Sequence, residues 1–331
     1  MSRGYSAYCD KSPVWAFAVA LAAASVLVGC VGPSVTGSFD RTLIVSGPVQ
    51  LEVHNGSGLV EIRTGQDGQV RIHGNYSVWG FAFENARADA DDLANHPPVE
   101  QVGNAVQVGL SGGRLHDARV DYTIYVPVET QARVTVGSGR MEIVGIQGPA
   151  ELESGSGRLN AREIKEDVRA TTGSGGVELE DVGGPVNVSA GSGSLTLIRI
   201  GGDIVAECGA GHVTVDHPGG RVNTHTGSGN IDISEAAADV RVGTGSGRVR
   251  VNGNPAPGKY WELVSSSGGV SLEVPSDASF RLYAHATSGR IQTSLPLLLE
   301  QEGGSHSLRG HLGSGAARVE ISTHSGGIEI R

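Results

Sequence analysis

The sequence predicts an all-β, single-chain β-solenoid with about 18 residues per coil and two short strands in each repeat. Three observations carry this. Glycine supplies 51 of 331 residues, and each Gly inside a helix costs roughly 1 kcal/mol against Ala, which disfavours helices. Gly-Ser-Gly recurs at 137–139, 155–157, 173–175, 191–193, 227–229 and 245–247, and Gly209-Ala210-Gly211 fills the one gap, so seven starts follow one another at 18-residue steps. Between them apolar and polar residues alternate with period two, the pattern of a strand with one buried face. Glycine does not fall at every third position, which excludes collagen. The 38% hydrophobic content is spread evenly, which excludes a disordered chain.

Residues 1–29 read as a lipoprotein signal peptide. Arg3 and Lys11 flank its start, and residues 13–29 form an uncharged apolar run, too short for a comfortable membrane span and ordinary for a secretory signal. The run ends in Leu27-Val28-Gly29-Cys30, which resembles the bacterial lipobox. The resemblance implies that the Cys30 thiol is acylated and that the mature protein begins there. Buried acyl chains contribute roughly 0.8 kcal/mol per CH₂, so several on one residue anchor stably. The next residues are Val31-Gly32-Pro33-Ser34, without an Asp after the Cys, and the expected location is the outer membrane of a bacterial envelope.

Residues 30–40 read as a tether and 41–136 as an irregular N-terminal β part. Residues 41–75 already alternate, as in QLEVHNGSGLVEIRT and QVRIHG, whereas the acidic stretch 84–104, with His96-Pro97-Pro98, reads as an excursion from the coils. Trp79, Phe81 and Phe83 are expected on one strand face, capping the open end of the core. Strands return at 105–110 and 119–126.

Residues 137–254 hold the regular repeats. Four residues after the first Gly of each repeat stand Met141, Leu159, Val177, Leu195, Val213, Ile231 and Val249; two further on stand Ile143, Ala161, Leu179, Leu197, Val215, Ile233 and Val251. Ala150, Val168, Val186, Ile204, Val222 and Val240 form a third inward column, and Leu152, Ala170, Val188, Ala206, Thr224 and Val242 a fourth. Gly-Ser-Gly is read as a corner, where glycine takes positive φ without steric cost. A second corner lies near Gly148, Gly184, Gly202 and Gly220. No repeat can bury its apolar face alone, but stacked repeats can. Outward columns set Glu151 before Arg169, Glu207 before His225 and Asp232 before Arg250.

Residues 255–331 read as looser coils. Asn254-Pro255-Ala256-Pro257-Gly258 looks like an insertion at a corner, and coils resume at Ser267-Gly268-Gly269, Thr287-Ser288-Gly289, Gly313-Ser314-Gly315 and Ser325-Gly326-Gly327, with 295–312 as a loop. Repeated Gly-Ser-Gly-x-apolar-x-apolar, the preceding YTIYVPVET and the ending LGSGAARVEISTHSGGIEIR resemble the bacterial putative-adhesin domain family, over roughly residues 41–331. The resemblance implies a β-solenoid and surface attachment, and it supplies no binding residues.

The net charge of −10 is a poor match to nucleic acid, which requires basic patches. The cysteines Cys9, Cys30 and Cys208 contain no CxxC pair and are too few for a disulfide framework. Cys208 reads as a small buried filler in the column of Ser154, Thr172, Ala190, Thr226 and Thr244. Gly109-Leu110-Ser111-Gly112-Gly113 matches the nucleophile-elbow pattern, with His116 and Asp117 nearby. The adjoining stretch RLHDARVDYTIYV, however, alternates like a strand where the elbow needs a helix. The column Glu142, Asn160, Glu178, Thr196, Thr214, Asp232 and Arg250 does not make a calcium ladder. His212, Asp216, His217 and His225 crowd one coil and read as a solvated face rather than a metal site. Outward acids are not expected in neighbouring coils, which argues against a polysaccharide lyase or hydrolase. Tyr260 and Trp261, after the Pro-Gly insertion, could contact sugar but read first as packing.

The sequence thus points to a non-enzymatic, lipid-anchored adhesin or surface scaffold without cofactor or metal. Its expected contacts are the membrane, through the lipid, and a cell-surface glycan or envelope protein. The competing reading is a polysaccharide-binding or polysaccharide-processing β-helix protein.

Overall fold

Eighteen residues after a strand, the chain returns to lie beside it. In the computed structural model, Val177 has Leu159 on one side and Leu195 on the other, both parallel, and Val186 sits in the same way between Val168 and Ile204. Two parallel ladders result. One holds Val177–Val182, Leu195–Ile200, Val213–Asp216, Ile231–Ala236 and Val249–Gly253. The other holds Val168–Ser174, Val186–Ser192, Ile204–Ala210, Val222–Ser228 and Val240–Ser246. The four inward columns meet between them and are buried throughout. The structure describes residues 34–79, 83–109, 118–302 and 306–331; the apolar segment 13–29, Cys30, Phe81, Ser111, His116 and Asp117 lie outside them.

The Gly-Ser-Gly corner has a second cause besides the expected one. Strands Thr130–Val144 and Ala150–Ile164 run through it without a break; the expected positive φ is found at Gly139, Gly193 and Gly211, at 147°, 130° and 158°, but not at Gly155 or Gly157. What demands glycine in every coil is the approach of its neighbour. A Cβ on Gly155 would lie 2.6 Å from the carbonyl oxygen of Gly137, and one on Gly157 only 1.9 Å from that of Gly139. At the other corner, left-handed backbone falls on Gly145, at φ 86°, and then on residues that are not glycine. Glu163, Asp181, Arg199, His217 and Glu235 have φ between 53° and 58°, each one coil from the next.

At the N-terminal end the stack turns antiparallel. Ser34–Ile44, part of it read from sequence as a tether, pairs with Gln69–Trp79, which pairs with Ala118–Val126. The acidic excursion contains a helix, Phe83–Asn95, which the sequence reading did not anticipate. Its Ala86, Ala90 and Leu93, at helical spacing, are buried against Ser34–Ile44 and Gln69–Trp79, and Pro97-Pro98 stops it. The expected aromatic cap is not built as a strand face: the strand ends at Trp79, which is 37% exposed, and Phe83 opens the helix.

At the C-terminal end, spatial order departs from chain order. Ala317–Thr323 slots between Tyr260–Ser265 and Phe280–Ala286. On the other ladder Ile328–Ile330 slots between Val270–Glu273 and Ile291–Thr293. The corner glycines therefore stack as Gly247, Gly268, Gly326, Gly289. Gly313-Ser314-Gly315 is not in that column; it is a turn, with Gly313 and Gly315 at φ 59° and 68°. The stretch 295–312 is no simple loop either. Leu298–Glu302 and Ser307–Leu312 pair antiparallel and extend the sheet beyond Phe280–Ala286. Among the described residues no helix is long and apolar enough to cross a membrane.

A candidate ligand-binding face on the C-terminal coils

Strand alternation splits Tyr260 from Trp261. Trp261 turns inward, fully buried, and its Nε1 donates to the Ala238 carbonyl at 2.7 Å. Tyr260 turns outward, with its backbone N–H donating to Asp239 at 2.8 Å. Its ring lies between two guanidinium groups, Arg241 at 5.9 Å and Arg318 at 5.7 Å from the centroid. Arg318 also lies 5.2 Å from the Tyr283 ring, and Arg309 lies 5.7 Å from that same ring. Cation–π contacts of this kind are worth about 0.5–1 kcal/mol each at exposed sites. Here they hold two tyrosines and three arginines as an ordered outer surface.

Two carboxylates join it. Glu262 and Glu320 are direct partners in the parallel ladder. The Tyr260 hydroxyl donates to Glu320 Oε2 at 2.7 Å, and Arg318 donates to the other carboxylate oxygen. These donors, Tyr260 first, hold the Glu320 carboxyl below its usual range against the opposing effect of burial. Burial first, then the bond to Glu320, pushes the Tyr260 phenol up to about 12. Glu262 lies 3.7 Å from Arg241. A shallow cavity of about 270 Å³ opens beside these groups, lined by Glu262, Tyr283, His285, Ser307, Arg309 and Glu320. Such a mixture of rings, charges and a hydroxyl can hydrogen-bond and stack against a polar ligand such as a sugar.

The expectation that neighbouring coils carry no outward acid pair fails here and again at Glu61 and Glu142, which are also ladder partners. The second pair was readable, since each acid stands five residues after the first Gly of a Gly-Ser-Gly. The first was not, because it depends on the last coil inserting between two earlier ones.

The profile of the family described as Toastrack DUF4097 matches residues 165–331, from the regular coils through the face just described. The chain belongs to this family. It is also similar to a solved structure described as a putative cell adhesion protein from Clostridium sporogenes ATCC 15579, at 12% identity over 89% of this chain and 99% of that one, with a TM-score of 0.23. A second, described as a putative adhesin from Bacteroides fragilis NCTC 9343, aligns at 9% identity over 89% and 97%, with a TM-score of 0.32. No curated protein matches.

Elsewhere in this Toastrack chain the candidate groups are drawn into local pairs. His212 meets Asp232 at 3.1 Å and His217 meets Asp216 at 2.9 Å, while His225 stands on the other ladder. Among the described residues no group of three or more His, Cys, Asp or Glu is placed to hold a metal ion. Asp232 also takes Arg250 at 3.1 Å, the cross-coil pair the sequence suggested. Glu151 turns to Arg133 of the preceding coil rather than to Arg169. Cys208 is buried, its thiol pushed up by that burial, with Sγ 3.4 Å from the Gly193 carbonyl. Gly109 closes a strand, and the rest of the nucleophile-elbow pattern lies outside the described residues, as does Cys30.

Proposed function

We propose that this chain is a non-enzymatic, lipid-anchored protein of the bacterial envelope, a surface adhesin or scaffold that presents the Tyr260 face to a ligand. The observation that carries the reading is the state of Glu320. A general acid requires a pKa near its working pH, and Glu320 is held as a carboxylate by Tyr260 and Arg318. Each of its oxygens already accepts a bond, one from the phenol and one from the guanidinium, which suits binding rather than turnover. The resemblance of the repeats to the putative-adhesin domain supports the surface role. Leu27-Val28-Gly29-Cys30 supports the anchor, and the absence of Asp after Cys30 supports the outer membrane.

A fatty-acid analogue should label the wild-type protein and not Cys30→Ser, which should stay uncleaved or leave the membrane. Equal labelling of the two would end the lipid-anchor reading. The second reading, polysaccharide processing, is favoured by the pairing of Glu262 with Glu320, since ladder neighbours stand about 4.8 Å apart and close carboxyl pairs serve glycoside chemistry. Release of reducing ends from envelope glycans, abolished in Glu320→Gln, would establish it over the binding reading.

A further inference from the structure

On the ladder opposite the Tyr260 face, the intercalated last coil creates a groove of about 630 Å³. Backbone bonds place Arg248, Gly269, Gly327 and Arg290 in consecutive strands of one outward column: Val249 N–H donates to Gly269, Val270 N–H to Gly327 and Ile328 N–H to Arg290. Two positions without side chains thus form a floor between two arginines. Arg250, Arg331, Ser271 and Gln292 also line the groove, as do the carboxylates of Glu273 and Glu329. Arg250 is engaged by Asp232 at 3.1 Å and Arg331 by Glu329 at 2.5 Å. The guanidinium groups of Arg248 and Arg290 have no ion-pair partner among the described residues, and both side chains are exposed.

We propose that this groove binds a carboxylated polysaccharide, laid across the strands with its carboxylates on Arg248 and Arg290. Three strand steps separate the two arginines, about 14 Å at the usual 4.8 Å spacing. One small anion cannot reach both, so the occupant repeats its negative charge along its length. Guanidinium forks bind carboxylates with two parallel bonds, while Ser271, Glu329 and Gln292, ladder neighbours in the next outward column, offer partners to hydroxyls between the charges. The glycine floor leaves room for a ring. Nucleic acid fits less well, because the lining has no aromatic side chain to stack a base. The inference rests neither on the lipid nor on the Tyr260 face, which lies on the other ladder.

The test uses the full-length chain in detergent and immobilised polygalacturonate, with neutral dextran, single-stranded oligothymidylate and phosphatidylglycerol vesicles as alternatives. Polygalacturonate should be retained in a salt-sensitive manner and dextran should not. Arg248→Gln with Arg290→Gln should weaken retention about tenfold or more, as expected for loss of charge-assisted bonds. Arg140→Gln with Arg158→Gln removes the same charge from the same outward column in two earlier coils, and should leave retention unchanged. Three results would overturn the proposal: no retention of polygalacturonate, equal loss in both double variants, or tighter binding of the oligonucleotide or the vesicles. Tyr260→Ala should retain polygalacturonate normally, which separates this groove from the proposed face.

Discussion

Arg199 reaches back one coil to Asp181: Nε lies 2.6 Å from Oδ1 and Nη2 lies 2.9 Å from Oδ2, and both residues hold left-handed backbone at φ 54° and 56°. The pair is about half exposed, and exposed ion pairs are worth little, so it does not compel that backbone. The corner does. Every coil from Glu163 to Glu235 turns there with the same φ, and the parallel ladders on both sides fix where the turn must deliver the chain.

Glycine should therefore stabilise this column where the side chain does nothing else. Left-handed backbone costs an L-residue roughly 1–2 kcal/mol, against about 0.5–1 kcal/mol for the extra unfolded-state freedom of Gly. Glu163, exposed and at φ 58°, is the clean site. Glu163→Gly should raise stability by up to about 1 kcal/mol in urea unfolding, and Glu163→Val should lower it. A glycine variant clearly weaker than wild type would show that the corner is not strained.

At the opposite corner the prediction reverses. A Cβ at Gly157 would meet the Gly139 carbonyl oxygen at 1.9 Å, whereas at Gly176 the nearest atom is the Ser194 carbonyl oxygen at 3.7 Å. Gly157→Ala must force two coils apart and should cost about 2 kcal/mol or more. Gly176→Ala is an ordinary contact and should stay within about 0.5 kcal/mol. Similar melting temperatures for the two variants would contradict stacking by close backbone approach.

The ladders were legible because their cause is local and repeated. Val177, Leu195 and Val213 declare the same phase every 18 residues, and a shift by one would turn each of them to water. The left-handed column was not legible, because Glu163, Asp181, Arg199, His217 and Glu235 share a conformation without sharing a residue type. The helix Phe83–Asn95 was hidden by the general argument from glycine, which says nothing about a segment that contains none. The candidate face was half legible: Tyr260 was singled out, but Glu320 reaches it only because the last coil enters the stack out of order, and Arg309 reaches Tyr283 through an antiparallel strand in a stretch that reads as a loop.

The Tyr260–Glu320 bond should be visible in the pH dependence of stability. The folded Tyr260 phenol lies at about 12 against an ordinary 10, so its contribution is complete below pH 10 and lost as pH rises toward 12. The Glu320 carboxyl is lowered, so its contribution is complete above its ordinary 4.5 and lost as pH falls. Tyr260→Phe removes the phenol's titration and the donor to Glu320 together. Its melting temperature should fall less steeply than wild type both from pH 10 to 12 and below pH 4.5. Tyr122 and Cys208, which burial also shifts upward, are common to both proteins and cancel in the difference. Parallel curves at both ends would mean that the bond is not made in solution.

Deleting one coil tests the stack itself. Removing Gly173–Ala190 takes out 18 residues and joins Thr172 to Gly191 as it now joins Gly173. Leu159, now beside Val177, would meet Leu195, and Val168 would meet Ile204, each the inward neighbour of the removed residue. Arg199 would lose Asp181 and come to lie beside Glu163, the equivalent residue one coil earlier, so even the corner pair could re-form. The loss should be close to one coil's interface. Removing only Gly173–Asp181 joins Thr172 to Val182 instead. It deletes the strand of one ladder but not of the other, and delivers Val186–Ser192 to the wrong corner. The 18-residue deletion should give a β-rich protein with one cooperative melt, and the nine-residue deletion should aggregate or be degraded. Equal survival, or equal failure, in circular dichroism and thermal unfolding would refute a stack with one coil per repeat.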